Sequence, residues 1–471
     1  MANLLYLTID LYRYYLRESL GQNPDEFEKK RQLFAEKLPV SIRFSIIEND
    51  NQFETELFKL LGKQKTAPLT LESRDYEGYY YPVQLNDTYG LLLDCSVADQ
   101  TYPYSVSTIK NLKELIDQNL NNQAATLGET WLIYGTLPND NSPNQNPEII
   151  AQKCYQALIP NADWGKNLQG KGYFLGGNIF ELWQYGFRIP EAGTIDSIDS
   201  LPPESIEDNH HIIIAIYPDH KTAEKAADFI NDWMCLFCYR SKIIWSNNQS
   251  KIIKKYLKRD FIGIQDCIKF LRKEKPEKIH LKKLHKNLEK AENIFSHYAI
   301  DITYLNYQTN TIEINLHNYC QCLDTIQKTS ASDPSNNDLE FLKKFSQHTE
   351  TKYLRQLQKD SHNFSKGLEL LQVAVNFIRS EVEVDKAQRD HNFQNTVAIV
   401  GVGLAAGSLV ASLDKLGEAP NDPIRSVLAT SLPEPKPWWF EPAIPLVYGI
   451  GAAIIAAALT SLVIRLWPRS R

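Results

Sequence analysis

The chain has 471 residues, 43% of them hydrophobic and 11% aromatic. That excludes a disordered or low-complexity protein, and the length exceeds one ordinary core, so two or three domains are expected. Seven cysteines are too few for a disulfide scaffold, and a net charge of −6 argues against a general nucleic-acid binder, so no nucleic-acid partner is expected. A mean hydropathy of −0.37 excludes a chain made mostly of membrane helices but leaves room for a few.

In chain order, residues 1–220 read as an α/β domain on the cytosolic side. LLYLTIDLYRYY at 4–15 and SIRFSIIE at 41–48 look like strands, with a charged helical stretch between them. No signal peptide is expected, because the N-terminal run lacks a basic segment and is interrupted by Asp10 and Arg13. Residues 79–85 and 91–95, joined by NDTYG, read as a hairpin. TWLIYG at 130–135 is another strand, followed by the polar loop PNDNSPNQNP at 138–147, and HIIIAIY at 211–217 is the clearest buried strand. A helix is predicted over about 221–246, opening a helical domain at 221–350 with breaks near Pro276 and at SASDPSNND, 330–338.

From 351 to 395 the sequence reads as a stalk helix. Leu357, Phe364, Leu368, Leu371, Val375, Ile378 and Val382 form a heptad seam whose steps from Phe364 are 4, 3, 4, 3 and 4. The same phase projects forward to Asp385, Arg389, Asn392, Thr396, Ile399, Gly403 and Gly407. Two readings fit this seam: packing on the preceding cytosolic helices, or a central stalk in a ring of subunits.

Two uncharged apolar runs follow, TVAIVGVGLAAGSLVASL at 396–413 and AIPLVYGIGAAIIAAALTSLVI at 443–464. At ~1.5 Å per residue they span roughly 27 and 33 Å, enough for a hydrocarbon core of about 30 Å, so each is expected to cross a lipid bilayer. Trp438, Trp439 and Phe440 precede the second run and Trp467 follows it, as interface anchors would. The flanks are basic, with Lys386 and Arg389 before the first run and Arg465, Arg469 and Arg471 in the tail at 465–471. The loop at 414–442 is not, which places both termini in the cytoplasm by the positive-inside rule and the hairpin in the plasma membrane. Gly403 and Gly407, and the stripe Gly449, Ala453, Ala457 and Ser461, suit close helix packing. The expected fold is therefore an α+β or α/β cytosolic domain, long helices, and a C-terminal two-helix transmembrane hairpin.

Motifs for chemistry are sparse. GKNLQGKG at 165–172 departs from a phosphate loop, because Gly172 stands where Ser or Thr is required, and a glycine turn is the better reading. Cys235 and Cys238 form a CxxC inside an apolar helical run, and Cys320 and Cys322 a CxC; as small hydrophobes they imply no metal. His210 and His211 sit at a strand start, and no catalytic His, Ser or metal pattern appears, so neither catalysis nor a cofactor is expected. Residues 241–294 carry 15 Lys or Arg against 6 Asp or Glu. That reads as a solvated helical face with internal ion pairs, or as a site for anionic lipid or a nucleotide-type signal ligand at Lys251, Lys254, Lys255, Lys258 and Arg259.

The order of long paired helices at about 279–329, a very long helix at about 351–413, a second span and a basic tail resembles the CorA-type two-span ion transporter family. The resemblance implies a homo-oligomer, pentameric in that family, with Asn392, Thr396, Ile399, Gly403 and Gly407 lining an axial pore. It departs from the family where Gly-Met-Asn should close the first span, since this chain reads Ser412-Leu413-Asp414-Lys415. FINDWMCLFCYRSKIIWSNNQSKIIKK and LLQVAVNFIRSEVEVDKAQRDHNFQNTVAIVGVGL are also similar to segments of cyanobacterial membrane proteins, and divergent CorA-like proteins serve as membrane effectors in type III CRISPR defence. The resemblance thus implies an ion channel or membrane-permeabilising effector gated by a cytosolic sensor domain, with a divalent-cation transporter and a pore-less membrane scaffold as the alternatives.

Overall fold

The computed structural model describes residues 2–389 apart from 44, 47, 49–56, 72, 121–124, 139–145, 188–205, 274–280 and 332–335. It divides into two units, one made of Met1–Asp266 with Ala291–Val375, the other of Cys267–Lys290 with Asn376–Arg471.

The first unit is built on a ten-stranded mixed sheet. Its strands are β1 (Asn3–Leu16), β2 (Phe58–Lys59), β3 (Ala67–Pro68), β4 (Tyr76–Leu85), β5 (Thr88–Val97), β6 (Tyr104–Ser105), β7 (Gly128–Thr136), β8 (Leu168–Phe174), β9 (Gly177–Phe187) and β10 (Ile206–Tyr217). The order is β2-β4-β5-β1-β7-β10-β9-β8, with β3 on β4 and β6 on β1, and only β7 and β10 run parallel. β4 and β5 turn through Asn86, whose φ of 52° suits asparagine better than most side chains, so Leu85 pairs directly with Thr88.

Period-two alternation gives the sheet two faces. Leu7, Ile9, Leu11, Leu91, Leu93, Ile133, Ile212 and Ile214 point to one and form the main core. Against them pack α1 (Pro24–Ala35), α3 (Thr108–Asn119) and α4 (Pro147–Leu158), through Phe34, Ile109, Leu112, Ile150 and Cys154. A short α2 (Val40–Arg43) lies where the sequence reads as a strand, so that expectation is corrected to a single helical turn. The α1 start is specified locally: Asn23 and Glu26 form a reciprocal capping box around Pro24.

The opposite face carries α6 (His220–Ala227) and the first turns of α7 (Ile230–Lys273). Tyr14 donates its hydroxyl to the Met234 carbonyl at 2.8 Å, and Tyr81 does so to Asn231 Oδ1 at 2.8 Å. The single helix expected over 221–246 is thus two, broken at Asp228–Phe229, and the second runs on to Lys273. α5 (Trp164–Asn167) and β8 occupy the stretch 165–172 expected to be a glycine turn, which corrects that reading, and β9 follows. Gly170 and Gly172 lie beneath α9 (Glu340–His348), where an added Cβ would overlap Phe341 or the Asp338 carbonyl. Gly172→Ala is expected to lower stability by ~2 kcal/mol through overpacking, read as a shift in urea midpoint at unchanged m.

α8 (Leu281–Ser330) and α10 (Arg355–Arg389) complete the helices, with a π-helical stretch at Thr349–Leu354 before α10. Within the first unit, α8 covers the stalk seam: Tyr298 donates to the Phe364 carbonyl at 3.1 Å, and Leu357 and Leu371 are buried. Within the second unit, Val382 packs with Leu284, Phe270 and Leu288. Leu357, Leu371, Val375, Ile378 and Val382 of the seam are buried, while Phe364 and Leu368 are half-buried.

The expected two-span membrane architecture is corrected. Among the described residues no helix is long and apolar enough to cross a membrane. Length is not what is lacking, since the 44 residues of α7 extend about 66 Å. Apolarity is: Lys, Arg, Asp or Glu interrupt α7, α8 and α10, and the longer uncharged stretches of α7 and α8 hold Asn, Gln, Ser, Thr or His, which a bilayer core accepts poorly. What is described is a sheet-rich domain with long polar-faced helices, and the membrane-protein and ion-channel reading is withdrawn with the hairpin. The runs at 396–413 and 443–464, the pore positions Asn392, Thr396, Ile399, Gly403 and Gly407, and the interface residues Trp438, Trp439, Arg465 and Arg469 lie outside the described residues.

Candidate functional site

The centre of the sheet holds two acids where its pattern calls for apolar residues. Asp10 on β1 and Asp94 on β5 are direct cross-strand partners on the face that α6 and α7 cover. They are 3% and 7% exposed. Asp10 lines a cavity of about 220 Å³. Its walls include Tyr12, Tyr79, Tyr134 and Tyr217 from the strands, Ala223, Ala226 and Ala227 from α6, and Ile230 and Trp233 from α7.

Each wall has a local cause. On this face of β1, Thr8, Asp10, Tyr12 and Tyr14 alternate with the core residues Ile9 and Leu11, so the strand's period places Asp10 beside Tyr12. The register then puts Tyr79 across from Asp94 and Tyr134 across from Thr8. Gly177 leaves room for the Tyr217 ring, which an added Cβ would overlap. α6 is anchored at its start by the Asp219 side chain, which accepts from Thr222 N at 3.0 Å, and by His220 stacking on Tyr6 at 3.9 Å. Its three alanines keep the space below it open.

Electrostatics set the protonation of the pair. Burial holds the Asp10 carboxyl well above the ordinary carboxylate range, and the neighbouring Asp94 charge raises it further. Asp94 is pushed up to about 7, chiefly by burial, with Glu77 adding to the rise and hydrogen bonds from Asp10 and Tyr134 opposing it. Two carboxyls this close share a proton rather than both ionise. Burial raises Tyr12, Tyr79, Tyr134 and Tyr217 as well, so their hydroxyls stay neutral.

A second concavity, of about 520 Å³, opens on the other face beside Arg13, Lys113, Trp131 and His210. Its charges are largely mutually satisfied, Arg13 with Glu129 at 2.8 Å and Lys113 with Asp117 at 2.6 Å.

The sequence-derived ligand residues are placed as follows. Lys254 pairs with Asp360 at 2.7 Å, and Arg259 with Asp260 at 3.1 Å. Lys251 donates to Asn248 at 3.1 Å and lies 5.1 Å from the Phe187 ring centroid, while Lys255 is half-buried and Lys258 exposed. They share one stretch of α7, but Lys251, Lys254 and Arg259 each reach a different partner rather than converging on one point. Cys235 and Cys238 are buried in α7, and Cys238 is pushed up to about 12 by burial, as expected of inert thiols. Among the described residues no group of three or more His, Cys, Asp or Glu stands ready for a metal ion. His211 lies within β10, with Nδ1 2.8 Å from Thr130 Oγ and Nε2 3.3 Å from Glu181.

The acid pair and its tyrosines were missed from sequence. Their signal was there: TIDLYRYY and LLLDCSV each carry a lone aspartate inside a strong strand pattern. No family model, curated protein or solved structure matches the chain.

Proposed function

We propose that the sheet domain is a small-molecule receptor module whose occupancy is read at the start of α7. One observation supports this reading above the rest: the cavity is bounded on one side by the central strands and on the other by α6, Ile230 and Trp233. A ligand there touches the α6–α7 junction directly, so filling or emptying the cavity bears on the entry angle of the 44-residue helix. A buried acid lining the cavity, Asp10, raised with its cross-strand partner Asp94 out of the ordinary carboxylate range, is also the kind of perturbed group that marks binding sites. The sensor part of the sequence reading is retained in this form, without a membrane pore.

The test uses the cavity's own reporter. A small-molecule panel is screened against the full chain by thermal shift and tryptophan emission. A compound that occupies the cavity should raise the melting temperature and change emission in the parent but not in Trp233→Phe, which leaves the other seven of eight tryptophans in place. Ala227→Phe, which fills the space under α6, should abolish the shift. Amide exchange at 230–236 should slow on binding. A panel whose hits all survive Ala227→Phe would place binding elsewhere and end this reading.

A further inference from the structure

The cavity holds more acid than its walls balance. Asp10 lines the space, Asp94 is its cross-strand partner on the adjacent strand, and among the described residues no Lys, Arg or His lines it. Asp10 Oδ1 is buried with no hydrogen-bond partner, an acceptor left unserved at a cavity wall. The remaining surface is aromatic or aliphatic: four tyrosines, Trp233, Leu132, Ile179, Ile230 and the alanines of α6. Anionic ligands are disfavoured by charge, and among the described residues no group of three or more His, Cys, Asp or Glu supplies the oxygen donors that a hard divalent ion collects. The combination that matches is a cationic head for the carboxyls and an apolar body for the rings, with ring quadrupoles adding attraction for the cation. Size limits the body: an engineered cavity of about 150 Å³ holds benzene, and this one has about 220 Å³.

We infer that the cavity binds a small organic cation, a primary ammonium compound with a compact apolar or aromatic body, seated on Asp10, with Asp94 as the carboxyl paired to it across the strands. This rests on the receptor reading above and names its ligand class. The ammonium takes the place of the proton that the pair otherwise shares, so binding releases a proton to solvent. The groups that face the pair and can titrate are Tyr12, Tyr79, Tyr134 and Tyr217, all kept neutral by burial, with Glu77 acting on Asp94 through its charge. α6 and α7 contribute only Ala223, Ala226, Ala227, Ile230 and Trp233 to the lining and hence no competing charge.

The experiment is calorimetry on the full chain at pH 7.5 with ethylamine, benzylamine, 2-phenylethylamine and tryptamine, each beside its uncharged alcohol or hydrocarbon counterpart, and with phenylacetate. At least one amine should bind about tenfold or more tighter than its neutral counterpart, and phenylacetate should not bind. Titrations in two buffers of different ionisation enthalpy should report release of about one proton per amine bound. Asp10→Asn should weaken the amine about tenfold or more while leaving the neutral compound unchanged, and Tyr134→Phe, which keeps both carboxyls, should retain the amine preference. Equal binding of neutral and charged members, or no proton release, overturns the cation inference and leaves the receptor reading standing. If no amine binds, the inference fails outright, and the Ala227→Phe screen decides the receptor reading separately.

Discussion

Replacing Arg240 with alanine is expected to lower the unfolding free energy by ~3–5 kcal/mol, because it strands a buried carboxylate. Arg240 on α7 and Glu181 on β9 are each 2% exposed, with the guanidinium 3.2 Å from the Glu181 carboxylate. The same guanidinium lies 3.9 Å from the Phe345 ring centroid and 6.0 Å from those of Trp183 and Tyr185, so it ties α7 to β9 and α9 at once. Without it, Glu181 keeps only His211, 3.3 Å away. His211 is held neutral, pushed down to about 4 by burial first and by the Arg240 charge next. A neutral His211 donates from Nε2 to Glu181, which leaves Nδ1 to accept the Thr130 hydroxyl.

That arrangement gives the Arg240 penalty a pH signature. In the parent, the unfolded chain protonates its histidine below about 6.5 and the folded state does not until about 4, so this group destabilises the fold as pH falls across that window. In Arg240→Ala the repelling charge is gone and Glu181 is unpaired, so His211 takes a proton more readily and replaces the lost cation. The difference between parent and variant should therefore be largest at pH 7 and above and shrink towards pH 5. Urea denaturation across pH reads it directly. A second variant, Arg240→Met with Glu181→Gln, removes both charges and should recover most of the stability lost by the single change. A penalty of equal size at every pH, with no recovery in the double variant, would show that packing alone accounts for Arg240.

The same two elements show where sequence reading reached and where it stopped. β1, β4, β5, β7 and β10 were legible because their β-branched and aromatic runs are bounded by turn residues, and the helices after residue 230 because their period is long and continuous. β8 and β9 were not. Glycines in LQGKGYF suggest a loop until Phe341 is seen to need the space above them. α2 carries VSIR, β-branched enough to read as part of a strand, and only these four residues settle into a helical turn. The break between α6 and α7 has no proline or glycine to announce it; residues 228 and 229 simply leave the helix. Of the stalk seam, Leu357, Leu371, Val375, Ile378 and Val382 are buried while Phe364 and Leu368 are half-buried, and a heptad pattern says only that a face is covered, not by what. Here Tyr298 on α8 meets Phe364 on α10. The cavity was the least legible feature. Asp10 entered the sequence reading only as an interruption of an apolar run, because its partner is 84 positions away and a strand register must be known before the two can be brought together.

Asp10→Asn should make the protein more stable at pH 8 while weakening amine binding. Burial raises both carboxyls above their unfolded values, Asp94 to about 7 and Asp10 well above the usual range. A group raised in this way contributes stability that is complete below the unfolded value near 4 and is lost as pH climbs through the folded value. Between pH 4 and 8 the parent therefore gives up stability that an amide at position 10 does not, since asparagine has the same shape, no charge to desolvate, and an N–H₂ to donate to Asp94. The difference between variant and parent should therefore grow steadily in the variant's favour as pH rises towards 8 and fall towards zero at pH 4. Stability curves against pH for parent, Asp10→Asn and Asp94→Asn measure it, with the parent-minus-variant difference cancelling the other titrating groups. A residue serving only the fold would lose stability when altered; one kept for a ligand is expected to gain it, because binding sites hold charge that folding alone would discard. Asp10→Asn less stable than the parent across the whole range would assign the pair to the scaffold instead, and the cavity above it would lose its claim to be a site.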